Sequence, residues 1–252
     1  MKMDASNRTE IRSCLTHGEY QAKLISIHGK EFGGGCPACM AERDAKETEI
    51  KNRMQADTQR RRIEGLFQRA GIPHRFQARS FANYVTSNDG QRSALRKSQA
   101  YADSWEEVLK LGTCLVFSGN AGTGKTHLAC AIANALMGKG VSSLFTTVSD
   151  AMRSIKRTYD AGSSITEQQA IAAFCDPQLL ILDEVGGSRG TEYELQLMFD
   201  IINKRYENSR PTIVLTNLDP GALREHLGER ITDRLREGGG KLIAFTWESH
   251  RA

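Results

Sequence analysis

The stretch Cys114-Leu115-Val116-Phe117-Ser118-Gly119-Asn120-Ala121-Gly122-Thr123-Gly124-Lys125-Thr126-His127-Leu128 decides how this chain is read. A short apolar run ends in Gly119-Asn120-Ala121-Gly122-Thr123-Gly124-Lys125-Thr126, and the helical pattern from His127 to Ala133 follows without a break. This is the G-x-x-x-x-G-K-T order in the strand, loop and helix context that it requires. The glycines let backbone N–H groups curl around phosphate oxygens, and the helix N-terminus adds its dipole. Lys125 is expected to reach the β and γ phosphates and Thr126 to offer its hydroxyl to Mg²⁺. The run from Gly119 to His127 is therefore the expected ATP-binding stretch.

Four more short, unalternating apolar runs flank this one, at Leu144 to Val148, Leu179 to Leu182, Ile213 to Thr216 and Leu242 to Thr246. Such runs suit strands buried on both faces, and helical periodicity lies between them. The expected fold is α/β, a three-layer sandwich around a five-stranded parallel sheet. The run Leu179-Leu180-Ile181-Leu182 ends in Asp183-Glu184, at the carboxyl edge where ligands of this architecture bind. Asp183 is expected to hold Mg²⁺ through water and Glu184 to polarise the attacking water. Asn217 tips the strand from Ile213; it is expected to orient the lytic water or to sense the γ-phosphate, with capping of the next turn as the alternative.

The N-terminal region is of another kind. Cys14-x-x-His17 and Cys36-x-x-Cys39 flank a strand-like segment from Tyr20 to Ile27, and four ligands at this spacing suit a tetrahedral structural Zn²⁺. His28 is the rival to His17. Cys114, Cys130 and Cys175 sit among apolar neighbours and read as structural. From Pro37 to about Ala70 a polar, charged run reads as one long exposed helix, either a linker or a partner-binding surface. Between Arg43 and Arg79 lie ten basic and five acidic residues. The expected organisation is a zinc module over residues 1–40, a basic helix over 41–72 and the α/β domain over 73–252.

Composition bounds the rest. Over 252 residues, 39% hydrophobic and 25% charged is globular, and excludes collagen-like and wholly disordered chains. No window approaches the roughly 20 apolar residues of a bilayer span, and the first residues lack the apolar core of a signal peptide, so a cytoplasmic protein with no membrane partner is expected. The net charge of +4 is too small to announce a nucleic-acid partner by itself.

The glycine-rich loop, the Leu-Ile-Leu-Asp-Glu strand, the Thr-Asn strand tip, Gly228-Glu229-Arg230-Ile231-Thr232-Asp233-Arg234-Leu235-Arg236 and the ending Trp247-Glu248-Ser249-His250-Arg251 together resemble the DnaC-like bacterial and phage helicase loaders, in the DnaC/IstB clade of the AAA+ ATPases. The resemblance covers about residues 65 to 251. It implies a Mg²⁺-dependent ATPase whose active site is shared between subunits of an oligomer, up to a hexamer. Arg230 is implied as the arginine finger inserted at a neighbour's γ-phosphate, with Arg234 and Arg236 as rivals, and Arg251 as the sensor II arginine. Only Trp247 to Ala252 follow the last strand, so the helical lid of many AAA+ proteins is expected to be absent or nearly so.

The same resemblance implies a DnaB-type hexameric helicase, gripped through residues 1–72, and single-stranded DNA as partners. Arg153, Lys156 and Arg157 share a helix face through their spacing, with Tyr159 at its end and Tyr193 beyond the acidic strand; phosphate tracking and base stacking are expected of them. Two other readings stand beside the loader: an IstB-like transposition helper that recruits a transposase, and a nucleotide-gated zinc adaptor with little turnover.

Overall fold

Alternation along the strands sorts the core of this protein into two layers. The structure, a computed structural model, describes residues 9–27, 30–160, 162–187 and 191–249. Chain contacts divide it into two compact units, Met1–Arg61 and Arg62–Ala252.

In the first unit, β1 (Thr9–Cys14), β2 (Gly18–Ile27) and β3 (Lys30–Gly33) form an antiparallel sheet in the order β1-β2-β3. The long helix α1 (Pro37–Arg69) then begins at the proline that opens the charged run, so Cys39 lies on the helix. Pro37 stands at its first position, where a missing N–H costs nothing, and Met40 N–H bonds the Cys36 carbonyl to close the first turn. α1 buries no residue along its length, as its charged sequence foretells.

The second unit holds α2 (His74–Gln77), α3 (Asp89–Asp103), α4 (Trp105–Leu111), β4 (Leu115–Gly119), α5 (Lys125–Gly138), β5 (Ser143–Thr147), α6 (Val148–Lys156), α7 (Glu167–Cys175), β6 (Leu179–Val185), α8 (Glu192–Glu207), β7 (Thr212–Thr216), α9 (Pro220–Arg236) and β8 (Lys241–Phe245). The five strands β5-β6-β7-β4-β8 make one parallel sheet. Successive side chains point to opposite faces. Leu115, Phe117, Ile181, Leu215 and Phe245 pack with α3, α4 and α5, while Val116, Leu180, Leu182 and Val214 pack with α6 to α9. This is the expected three-layer sandwich.

The strand order puts β6, β7 and β4 side by side, and so gathers their carboxyl ends. One buried charge braces the opposite side. Arg205 is 1% exposed, and among the described residues its guanidinium pairs with no carboxylate. Its guanidinium donates to the carbonyls of Phe174, Cys175, Pro177, Gln178 and Pro211 and to the Thr212 hydroxyl. Among the described residues no helix is long and apolar enough to cross a membrane.

Candidate nucleotide site and metal centre

The glycine-rich loop leaves β4 at Gly119 and enters α5 at Lys125. Gly124 adopts φ +97°, and a Cβ there would stand 2.8 Å from the Tyr84 ring, so only glycine passes under that ring. Tyr84 Oη and Trp247 Nε1 both donate to the Thr123 carbonyl, at 3.5 and 2.9 Å. The loop is therefore held from two sides.

Lys125 is buried, and its ammonium donates to the Gly119 and Asn120 carbonyls and to Asn217 Oδ1, at 2.6, 2.8 and 2.9 Å. Thr126 Oγ1 donates to Asp183 Oδ2 at 3.0 Å. Burial pushes the Asp183 carboxyl above its ordinary range, against the Glu184 N–H and Thr126 hydroxyl that lower it. A hard cation entering here would find a hydroxyl and a carboxylate already side by side.

Glu184 follows at φ +61°, in the left-handed region, where the register of β6 against β7 shifts between Leu182 and Val185. A bulge of this kind re-aims a side chain, and its strain persists only where the surroundings enforce it. Here the Thr216 hydroxyl bonds the Val185 carbonyl at 2.7 Å and Gly187 N–H bonds the Glu184 carbonyl at 3.0 Å. The result separates two adjacent carboxylates: Asp183 half-buried against Thr126, Glu184 exposed in the same cavity.

That cavity, about 600 Å³, is lined by the loop, Asp183, Glu184 and Asn217, and on its far wall by Arg75, Phe76, Arg79, Asn83, Tyr84 and Val85. Sequence reading missed this wall. It carries no repeated motif and is fixed from a distance: Asn134 donates to the carbonyls of Gln77 and Arg79, and His127 Nε2 meets the Ser80 carbonyl at 3.1 Å. His127 thus holds the wall, and burial lowers its pKa.

The candidate arginines separate. α9 is kinked at Gly228, φ +76°. Beyond the kink Arg234 donates to Asn203 Oδ1 at 2.5 Å and lies over the rings of Phe199 and Tyr206. Arg230 is exposed, and among the described residues its guanidinium has no hydrogen bond or ion pair. Arg236 is exposed as well; Arg251 lies outside the described residues.

The residues expected at DNA are brought together in part. Arg153 and Lys156 lie on α6, but the helix ends at Lys156, and Arg157 to Tyr159 form a tighter 3₁₀ turn, so the stripe is not one continuous helical face. Arg153 pairs with Asp150 at 3.1 Å and Lys156 with Glu194 at 2.9 Å. Tyr159 and Tyr193, 34 residues apart, bond hydroxyl to hydroxyl at 2.6 Å, both rings exposed.

In the first unit the ligand atoms of Cys14, His17, Cys36 and Cys39 all lie within 4.8 Å of one another. Cys14 Sγ is 3.5 Å from Cys39 Sγ, and His17 Nδ1 is 3.8, 3.8 and 3.3 Å from the sulfurs of Cys14, Cys36 and Cys39. Tetrahedral Zn²⁺, with Zn–S of about 2.3 Å and Zn–N of about 2.0 Å, spaces its donors by roughly 3.5–3.8 Å, so the set fits. Backbone N–H groups of Thr16 and His17 bring the Cys14 thiol down to about 6, while Cys14 pushes Cys39 up to about 11. His28 lies outside the described residues.

Residues 46–235 match the IstB-like ATP binding protein family. The chain is 39% identical over 190 residues to "Uncharacterized protein YdaV" of Escherichia coli (strain K12), covering 75% of each. It is 36% identical over 191 residues to the replicative helicase loader DnaC of Escherichia coli (strain K12), covering 76% of each. A crystal structure of the DnaC helicase loader superposes with a TM-score of 0.61 at 25% identity, over 68% of this chain and 99% of that one.

Proposed function

The chain belongs to the IstB-like ATP-binding family, in the AAA+ class, and from that premise we propose that it loads a DnaB-type hexameric replicative helicase onto single-stranded DNA in an ATP-dependent cycle. Its similarity to replicative helicase loaders supports the loader role. The single observation that carries the ATPase is the meeting of Lys125, Thr126, Asp183 and Asn217 at one end of the sheet, with Glu184 turned into the same cavity by a bulge.

Lys125 neutralises the β and γ phosphates and reports their presence to Asn217, which now accepts from its ammonium. Thr126 and Asp183 would hold Mg²⁺, which supplies charge neutralisation at the phosphates when bound. Glu184 accepts a proton from the attacking water, and its exposure leaves that water a path. Arg230 extends to a neighbouring subunit in an AAA+ oligomer of up to six copies and stabilises charge on the transferred phosphoryl group; Arg251 touches the nucleotide within its own subunit. Arg234 is the poorer finger, since withdrawing it from Asn203 and two rings costs those contacts.

Cys14, His17, Cys36 and Cys39 would hold a structural Zn²⁺ that orders residues 1–40, and this module with the basic helix to residue 72 receives the helicase. Arg153, Lys156, Arg157, Tyr159 and Tyr193 contact DNA. The test pairs two variants. Lys125→Ala should lose ATP binding, whereas Glu184→Gln should bind ATP and lose turnover; equal loss of binding in both contradicts the assignment. Affinity capture from the native host should retain a replicative helicase, and a transposase in its place would favour the transposition helper.

A further inference from the structure

We infer that Glu42 is a positioning residue of the metal centre, fixing His17 as an Nδ1 ligand. The inference rests on the zinc reading above and deepens it. His17 stands in the turn between β1 and β2, with its side chain in contact with solvent, and nothing in a solvated turn by itself selects one of the two ring nitrogens. Nδ1 faces the three sulfurs, whereas Nε2 lies 3.0 Å from Glu42 Oε1. A neutral imidazole carries one N–H. If Nδ1 gives its lone pair to a metal, Nε2 bears the hydrogen and Glu42 accepts it, which orients the ring and raises its basicity as a ligand.

The geometry has a sequence counterpart. Cys39 and Glu42 are three residues apart on α1, hence on the same side of its first turns. One helix therefore presents both a ligand and the carboxylate that aims another ligand, and the spacing Cys36-x-x-Cys39-x-x-Glu42 is the pattern to look for. The exposed Glu42–His17 pair is worth little in free energy alone, because water competes for both groups. Its effect is felt in metal affinity, where a freely turning ring must be ordered on binding; loss of such a partner typically costs 10–100-fold.

Zinc affinity of the full chain is measured by competition with a chromophoric chelator, for wild type, Glu42→Ala and Glu42→Gln, and the His17 ring nitrogens are assigned by long-range ¹H–¹⁵N correlation in the zinc-loaded protein. Glu42→Ala should bind zinc roughly 10–100-fold more weakly. Glu42→Gln keeps a neutral acceptor and should recover part of that loss. The spectra should give Nδ1 bound to metal and Nε2 protonated in the wild type, with ATP binding unchanged in both variants. Wild-type affinity in Glu42→Ala, or metal on Nε2, overturns the inference while leaving the zinc reading standing. A wild-type chain that takes up no zinc overturns the zinc reading and the inference together.

Discussion

The two units of this chain obtain order by opposite means. In Arg62–Ala252 the sheet is enclosed on both faces by buried apolar side chains, each fully buried one contributing about 1.5–3 kcal/mol. Among the residues of Met1–Arg61 whose burial is described, the buried apolar side chains are Ala22 and Cys36, and α1 buries none. A segment this short gains order from a cross-link, and four metal-ligand atoms within 4.8 Å of one another offer one. The contrast teaches that the nucleotide site and the metal centre should fail independently, since each draws its order from a different source.

The largest expected effect comes from stripping the proposed zinc. Structural zinc in small modules contributes ~10–16 kcal/mol at neutral pH, so a strong chelator, or Cys36→Ser, should abolish hydrogen-exchange protection in β1 to β3 and the start of α1. ATP binding, measured by titration with a fluorescent analogue, should persist. Joint loss of both would show that the units are not separate. The next effect belongs to the core-held unit. Arg230→Ala should lower kcat by roughly 10³-fold or more with ATP affinity intact. Mixing with Lys125→Ala subunits, which carry a sound Arg230, should restore part of the turnover, and no recovery at any ratio counts against a site shared between subunits.

A smaller effect tests the brace under the sheet. Arg205→Met removes the guanidinium from five backbone carbonyls, of which Pro211 keeps the Leu180 N–H, and should cost about 3–5 kcal/mol of unfolding free energy, or roughly 10 °C in Tm, with zinc content unchanged. An unaltered Tm would mean that the carbonyls find other partners. The smallest effect is at DNA: Tyr159→Ala should weaken single-stranded DNA binding by ~1–3 kcal/mol, and Lys156→Ala with Arg157→Ala should reduce its salt dependence. Anisotropy titrations at two salt concentrations read both. Since Lys156 is paired with Glu194, a null result in the double variant would assign this face to intramolecular pairing.

What could be read from the sequence divides along the same line as the physics. The five strands and the glycine-rich loop were legible because burial on both faces and phosphate binding impose short-range patterns: apolar runs, and a fixed order of glycines before Lys125. The Asp183-Glu184 pair was legible by position, but not the bulge and positive φ that part the two carboxylates, since those depend on the register against β7. The wall from Arg75 to Val85 was invisible because Asn134 and His127 hold it across some fifty residues. Arg205 gave no signal either: a basic residue in a charged helix looks exposed until the chain folds five carbonyls around it. At the Cys14, His17, Cys36 and Cys39 cluster the spacing was readable, while Glu42 was hidden in a charged run. The pairing of Tyr159 with Tyr193 was likewise unreadable, although each ring was singled out.

The proposed activity is ATP-dependent placement of a hexameric helicase on single-stranded DNA. Its most direct test is co-sedimentation of the host's hexameric replicative helicase with a circular single-stranded DNA, in the presence of ATP and either wild-type protein or Lys125→Ala. Helicase should travel with the circle only when the wild-type protein is added. Equal amounts on the circle with Lys125→Ala, or with no added protein, would contradict the account.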